Sequence, residues 1–348
     1  MSDKRITELA QSNIDDCDIQ WLKQALQSAI ELEFFTIPPY LTALWSVKGR
    51  RDPVAIAIRE VLVEEMLHMS LACNMLASIG GTPRIFDPEI VPSYPSAMPG
   101  GVKPLLTVSL QGLSKEALGV FMKIEEPETD IAHLETVRKT ESYARIGEFY
   151  DKIKLVFDNL EPEFTREGQI EAYFGESQLP HGKYIPKNIG SIEDVEAAID
   201  LIKDQGEGTS ESVKDDDTDE LAHYYRFKEV AVGRKLIQDD DGRWVHQGPV
   251  VQMPDCWPVA EIPPGGYQQD DVPPETWARM VAFDLSYTRM LKQLGLAWST
   301  GSHAALNQAI EAMMSDLPRL ALEIMQVPIR EQPFNYGPCF RFVDQEAD

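Results

Sequence analysis

Glutamates and histidines on helix faces that must be buried constrain this chain more than any other feature of its sequence. In residues 53–79 (PVAIAIREVLVEEMLHMSLACNMLASI) Ile58, Val61, Ala72 and Met75 recur at helical spacing and define an inward face. Glu65 and His68 lie along that face, whereas Glu64 is turned about 100° away. In residues 19–46 an apolar stripe of Leu22, Leu26, Ala29, Ile30 and Ile37 contains Glu33, with Glu31 roughly opposite. From residue 219 a third segment places Glu220 and His223 on one face with Phe227, Val230 and Ala231. A lone buried carboxylate costs several kcal/mol unless it is paired or coordinated. A multivalent cation is the simplest partner for groups arriving from three helices.

The spacing suits that partner. Residues at i and i+3 occupy adjacent turns of one face, so Glu-x-x-His presents an oxygen and a nitrogen to one small volume. One such motif is weak, because helices carry it by chance as a surface ion pair or a core histidine bonded to a carbonyl. Two copies on apolar faces, Glu65 to His68 and Glu220 to His223, with Glu33 in phase, are a stronger signal. Two facing motifs plus a glutamate from each of two further helices make the ligand set for a pair of ions. Carboxylate with imidazole suits iron or manganese and allows zinc or copper.

The rest of the chain reads as predominantly helical with long connections, and as one domain over 1–348. Bundle helices are expected at about 19–46, broken or kinked at Pro38-Pro39, and at 53–79, opened by Pro53 and closed by Gly80-Gly81. Two more are expected at about 130–160 and 219–237. Shorter helices are expected near 114–126, capped by Ser114, and near 191–204. Two C-terminal helices near 274–295 and 302–325 complete the pattern, and a short strand is expected at 104–110.

With 32 basic against 57 acidic residues, the formal charge is −25. That balance argues against nucleic acid and anionic lipid as partners. No stretch approaches 18 uninterrupted apolar residues, and the first residues lack a signal-peptide core, so a cytoplasmic protein with no membrane span is expected. Cys17, Cys73, Cys256 and Cys339 are scattered without metal-like spacing, as in a reducing compartment.

Glu33 followed by Tyr40, and then EEMLH at 64–68, resemble the first two helices of the ferritin superfamily. More narrowly, AIELEFFTIPPYLTALWS, EEMLHMSLACNMLASIGGTP, FMKIEEPE, IGEFYDKI, QGEG, ELAHYYRF and NYGPCF resemble the ferritin-like domain of iminophenyl-pyruvate dimer synthases and chromopyrrolate synthases. The resemblance spans about residues 20–342, with TIPPYLTAL and EEMLHM its most specific parts. It implies an all-α, ferritin-like four-helix bundle with long insertions and extra C-terminal helices. It also implies an O2-linked metal centre, and oxidative chemistry on small amino-acid-derived molecules. Those synthases are much longer, and this chain matches only their ferritin-like portion. The ferritin pattern favours Glu148, within IGEFY, as the fourth carboxylate, although the apolar stripe Ile146, Phe149, Tyr150, Ile153 and Phe157 leaves it off-face. Glu125 competes, sharing a face with Leu118, Phe121 and Met122 on a short helix.

The expected metal ligands are therefore Glu33, Glu65, His68, Glu148, Glu220 and His223, with Tyr40 and Glu125 as candidate catalytic residues. Tyr40 could bond a metal ligand or relay an electron, or simply be an interfacial tyrosine. His133 is a weaker candidate, and His181, His246 and His303 read as surface or structural. Either Tyr224 or Tyr225 is expected to line a cavity beside His223. The methionines at 66, 69, 75, 313 and 314 read as core filler. The leading function is a two-iron, O2-dependent oxidase or oxygenase acting on a small molecule, with manganese or copper also compatible. The alternatives are a ferroxidase or metal-storage protein and a non-catalytic partner domain. The long connections at 80–138 and 161–218 favour the enzyme. A homo-oligomer is compatible with the sequence.

Overall fold

The computed structural model describes residues 6–126, 146–171, 188–206, 213 and 221–343. Its helices are α1 (Ile6–Ala10), α2 (Ile19–Ser46), α3 (Pro53–Ser78), α4 (Lys115–Ile124), α5 (Ile146–Leu160), α6 (Ile192–Gly206), α7 (His223–Val232), α8 (Pro274–Thr300), α9 (His303–Glu311) and α10 (Leu317–Met325). A π-helical turn at Ala312–Asp316 joins the last two. Two antiparallel ribbons, β1 (Ser96–Ala97) with β2 (Thr107–Val108) and β3 (Ile237–Gln238) with β4 (Trp244–Val245), decorate the connections. No described helix is long and apolar enough to cross a membrane.

Local chemistry fixes the ends. The Asp18 carboxylate accepts from the Gln20 and Trp21 amides to start α2, and Asp52 accepts from Val54 to start α3, with Pro53 in its first turn. Ser114 caps α4 through the Ala117 amide. Gly233 and Gly301 end α7 and α8 in left-handed backbone, φ 78° and 65°, where a β-carbon would be strained. Of the expected break or kink, the break is absent: α2 runs as one helix through Pro38-Pro39. Pro39 lacks the amide that would meet the Phe35 carbonyl, and the Tyr94 hydroxyl donates to that oxygen at 2.6 Å instead.

α2 and α3 share the most extensive helix–helix interface, and α5, α6 and α7 close around them while α4 packs on α7. α8, α9 and α10 form an outer layer that touches α2 and α3. Because α3 is enclosed, nearly every side chain from Val61 to Ser78 is buried. The core is continuous across the described residues, and the charged groups of interest lie inside it.

Candidate metal centre

Four elements supply the buried polar cluster. Glu33 comes from the middle of α2, Glu65 and His68 from α3, Glu125 from the C-cap of α4, and His223 from the first position of α7. All five are at most 6% exposed. Glu33, Glu65 and His68 bring one ligand atom each to within 4.8 Å of one another, and so do Glu65, Glu125 and His223. Glu65 belongs to both groups, and the imidazole centroids are 5.8 Å apart. Glu33, Glu65 and His68 would hold one cation and Glu65, Glu125 and His223 a second, with Glu65 common to both sets.

Both histidines aim Nδ1 at the carboxylates. His68 Nδ1 is 3.7 Å from Glu33 Oε2 and 3.8 Å from Glu65 Oε1. His223 Nδ1 is 2.9 Å from Glu65 Oε1 and 3.6 Å from Glu125 Oε2. Behind the rings, His68 Nε2 meets Gln205 Oε1 at 2.9 Å, and His223 Nε2 meets Glu64 Oε2 at 2.7 Å. Acceptors at Nε2 hold the neutral ring's proton there, so Nδ1 is the nitrogen each ring would offer to a metal ion once the facing proton has left. His223 Nδ1 is a buried nitrogen without a hydrogen-bond partner, as expected of an atom whose partner is a metal ion. Hard oxygens with imidazole nitrogens fit iron or manganese.

The carboxylates are held as firmly. The Tyr150 hydroxyl donates to Glu33 Oε1 at 2.6 Å, the Thr36 hydroxyl lies 2.6 Å from Glu65 Oε2, and the Tyr40 hydroxyl donates to Glu125 Oε1. Arg226 Nη1 donates to Glu64 Oε1 at 3.2 Å. Burial, then the neighbouring Glu125 charge, pushes the Glu65 carboxyl up from its ordinary value. Burial alone would lower His223, but the Glu125, Glu64 and Glu65 carboxylates around the ring outweigh it and hold the imidazole well above the usual range. The metal-free cluster therefore retains protons as counter-charge, which bound cations would displace. Glu64 moves down: burial opposes ionisation, yet the His223 bond and the Arg226 charge prevail.

A cavity of about 40 Å3 adjoins the cluster. Glu33, Glu65, His68 and Glu125 line it together with Met98, Ile124, Ile202 and Lys203, whose ammonium pairs with Asp151 at 2.5 Å.

The structure thus brings together Glu33, Glu65, His68 and His223, with Tyr40 beside them. It corrects the fourth carboxylate: Glu148 is exposed on α5, and Glu125 occupies the place expected for it. The helix that carries Glu148 faces the cluster through Tyr150, so its apolar stripe, not the glutamate two residues earlier, points inward. Glu64, expected to face outward, is 2% exposed, because α3 has no solvent side at that turn. Glu220, His133 and His181 lie outside the described residues. His246 is half-buried beside a carbonyl, and His303 is exposed. Tyr224 and Tyr225 are half-buried and stack edge to face, and neither lines the cavity. Gln205 and Glu64 were missed as functional residues; no local spacing identifies a partner that lies on another helix.

Comparison with known proteins agrees with this geometry. No curated protein matches the chain. A solved ferritin-like protein from Caulobacter vibrioides aligns over 94% of this chain and 99% of its own, with a TM-score of 0.63 and 19% identity, a likeness of fold. The family model described as Ferritin-like matches residues 26–232, more than half the chain and the whole span from Glu33 to His223, and on that match this protein belongs to the Ferritin-like family.

Proposed function

We propose that the chain is a two-metal, O2-dependent oxidase or oxygenase acting on a small amino-acid-derived molecule, with iron as its metal. The observation that carries this reading is the convergence of Glu33, Glu65, His68, Glu125 and His223 in one buried cluster, the first four of them lining a cavity. The cavity of about 40 Å3 has room for O2 beside the ligand groups, and an amino-acid-derived substrate would have to widen it. Iron bound there would supply the redox chemistry with O2 that these side chains lack. The likeness of TIPPYLTAL and EEMLHM to the ferritin-like domain of iminophenyl-pyruvate dimer synthases supports the substrate class.

The side chains have distinct tasks. Glu65 lies between the two ligand groups and sets their separation. Burial, then the Glu125 charge, raises the Tyr40 phenol well above its ordinary value, so it stays protonated and keeps donating to Glu125. Tyr150 performs the same task at Glu33. The burial of these groups keeps bulk water from them, which strengthens each of these interactions.

The test is O2 uptake by iron-loaded protein in the presence of a panel of free amino acids and their 2-oxo acids. The expected result is uptake that depends on one member of the panel and disappears in Glu65→Gln. Iron accumulation well above two ions per chain without such uptake would instead establish storage.

A further inference from the structure

The two halves of the cluster form a matched comparison. Each contains one histidine, one carboxylate anchored by a buried tyrosine hydroxyl, and a share of Glu65. In one half these are His68, with Glu33 held by Tyr150; in the other they are His223, with Glu125 held by Tyr40. Among the described residues, the difference lies behind the rings. His68 Nε2 gives its proton to the neutral amide oxygen of Gln205 at 2.9 Å, and His223 Nε2 gives its proton to the Glu64 carboxylate at 2.7 Å.

We infer that the two cation positions are unequal, that the one at His223 binds its ion more tightly and fills first, and that Glu64 and Gln205 set this order as positioning residues. A carboxylate behind a ligating imidazole draws on its N–H and makes the opposite nitrogen a stronger donor; an amide does so less. Glu64 is well placed for this. It is 2% exposed, so water does not screen it, and Arg226 Nη1 lies beside it. Glu64 Oε2 is 2.7 Å from the ring nitrogen and 3.2 Å from Arg226 Nη1, so the imidazole N–H and the guanidinium share one carboxylate oxygen. Gln205 arrives from α6, a helix that supplies no ligand, whereas Glu64 shares α3 with Glu65 and His68.

The inference rests on the two-cation reading of the site, and titration of the metal-free full-length chain with Mn(II), free ion being counted by its EPR signal, separates the two. The expected wild-type result is two ions in two steps, the first about ten-fold or more tighter. Glu64→Gln should weaken the first step by about 10–100-fold and bring the steps together. Gln205→Glu should tighten the second step, a change in the opposite direction that lost packing would not produce. If Glu64→Gln fails to fold, the Gln205→Glu titration decides alone. Two ions binding with equal affinity, or a ratio of constants that neither substitution moves, would overturn the inference while leaving the two-metal site intact. Fewer than two ions bound would overturn both.

Discussion

At the scale of single residues, Glu65 differs from Glu33, His68, Glu125 and His223 because it belongs to both ligand groups. Glu65→Gln should reduce metal content from about two ions per chain to nearly none, whereas Glu125→Gln should leave about one and Glu148→Gln about two. Elemental analysis of protein purified without an affinity-tag metal measures this series. Equal losses from Glu125→Gln and Glu148→Gln would contradict the assignment of the fourth carboxylate. Glu33, Glu65, His68 and His223 were legible in the sequence because helical phase alone places them among apolar neighbours. Glu125 was harder to see: it caps a ten-residue helix, and so short an element gives little phase information. Glu64 was misjudged because phase separates inside from outside only when a helix has an outside. α3 is packed against α2, α6, α7 and α8, so a residue about 100° from the main stripe is still buried.

At the scale of elements, the helices were readable from their caps and periodicity, but the contacts that hold them in register were not. Asn74, two turns beyond His68 on α3, illustrates the gap. Its Nδ2 donates to the Ile170 carbonyl at 2.7 Å, while its Oδ1 accepts from the Ile170 amide and the Trp298 indole, both at 3.0 Å. One fully buried side chain thus ties α3 to the segment after α5 and to the end of α8. Asn74→Ala would leave three buried polar groups without partners and should cost about 2–4 kcal/mol of stability in denaturant unfolding. A loss below about 1 kcal/mol would mean that water replaces the amide without strain. No spacing in the sequence links positions 74, 170 and 298, since such contacts depend on which helices the connections bring together. The continuous α2 has a similar origin: a helix crosses Pro38-Pro39 because Tyr94, from a distant loop, supplies a donor to the orphaned Phe35 carbonyl.

At the scale of the whole molecule, the segment after Tyr336 closes the outer layer onto the α2–α3 pair. Phe340 stacks on Trp45 of α2 and packs edge-on against Phe283 and Tyr287 of α8. Beside it, the Arg341 amide and Nε donate to the fully buried Asp284 carboxylate at 3.1 and 2.7 Å, and its guanidinium lies over the Trp277 ring. Burial pushes the Asp284 carboxyl up to about 6, with Arg341 opposing that rise. Because this pKa lies above the ordinary 3.8, the folded state binds the proton more tightly than the unfolded chain. The group's contribution to stability is therefore greatest at low pH and is lost as pH rises through about 6. Arg341→Ala removes the opposing charge, so the carboxyl should rise further and its ionised form should become costlier to bury. The variant should lose about 3–5 kcal/mol at pH 8, where Asp284 must be charged without its partner. At pH 5 protonation relieves the carboxylate, and the loss should be markedly smaller. Thermal unfolding of both proteins at the two pH values checks this, and a deficit that does not shrink on acidification would show that Arg341 acts through packing on Trp277 instead of through the Asp284 charge.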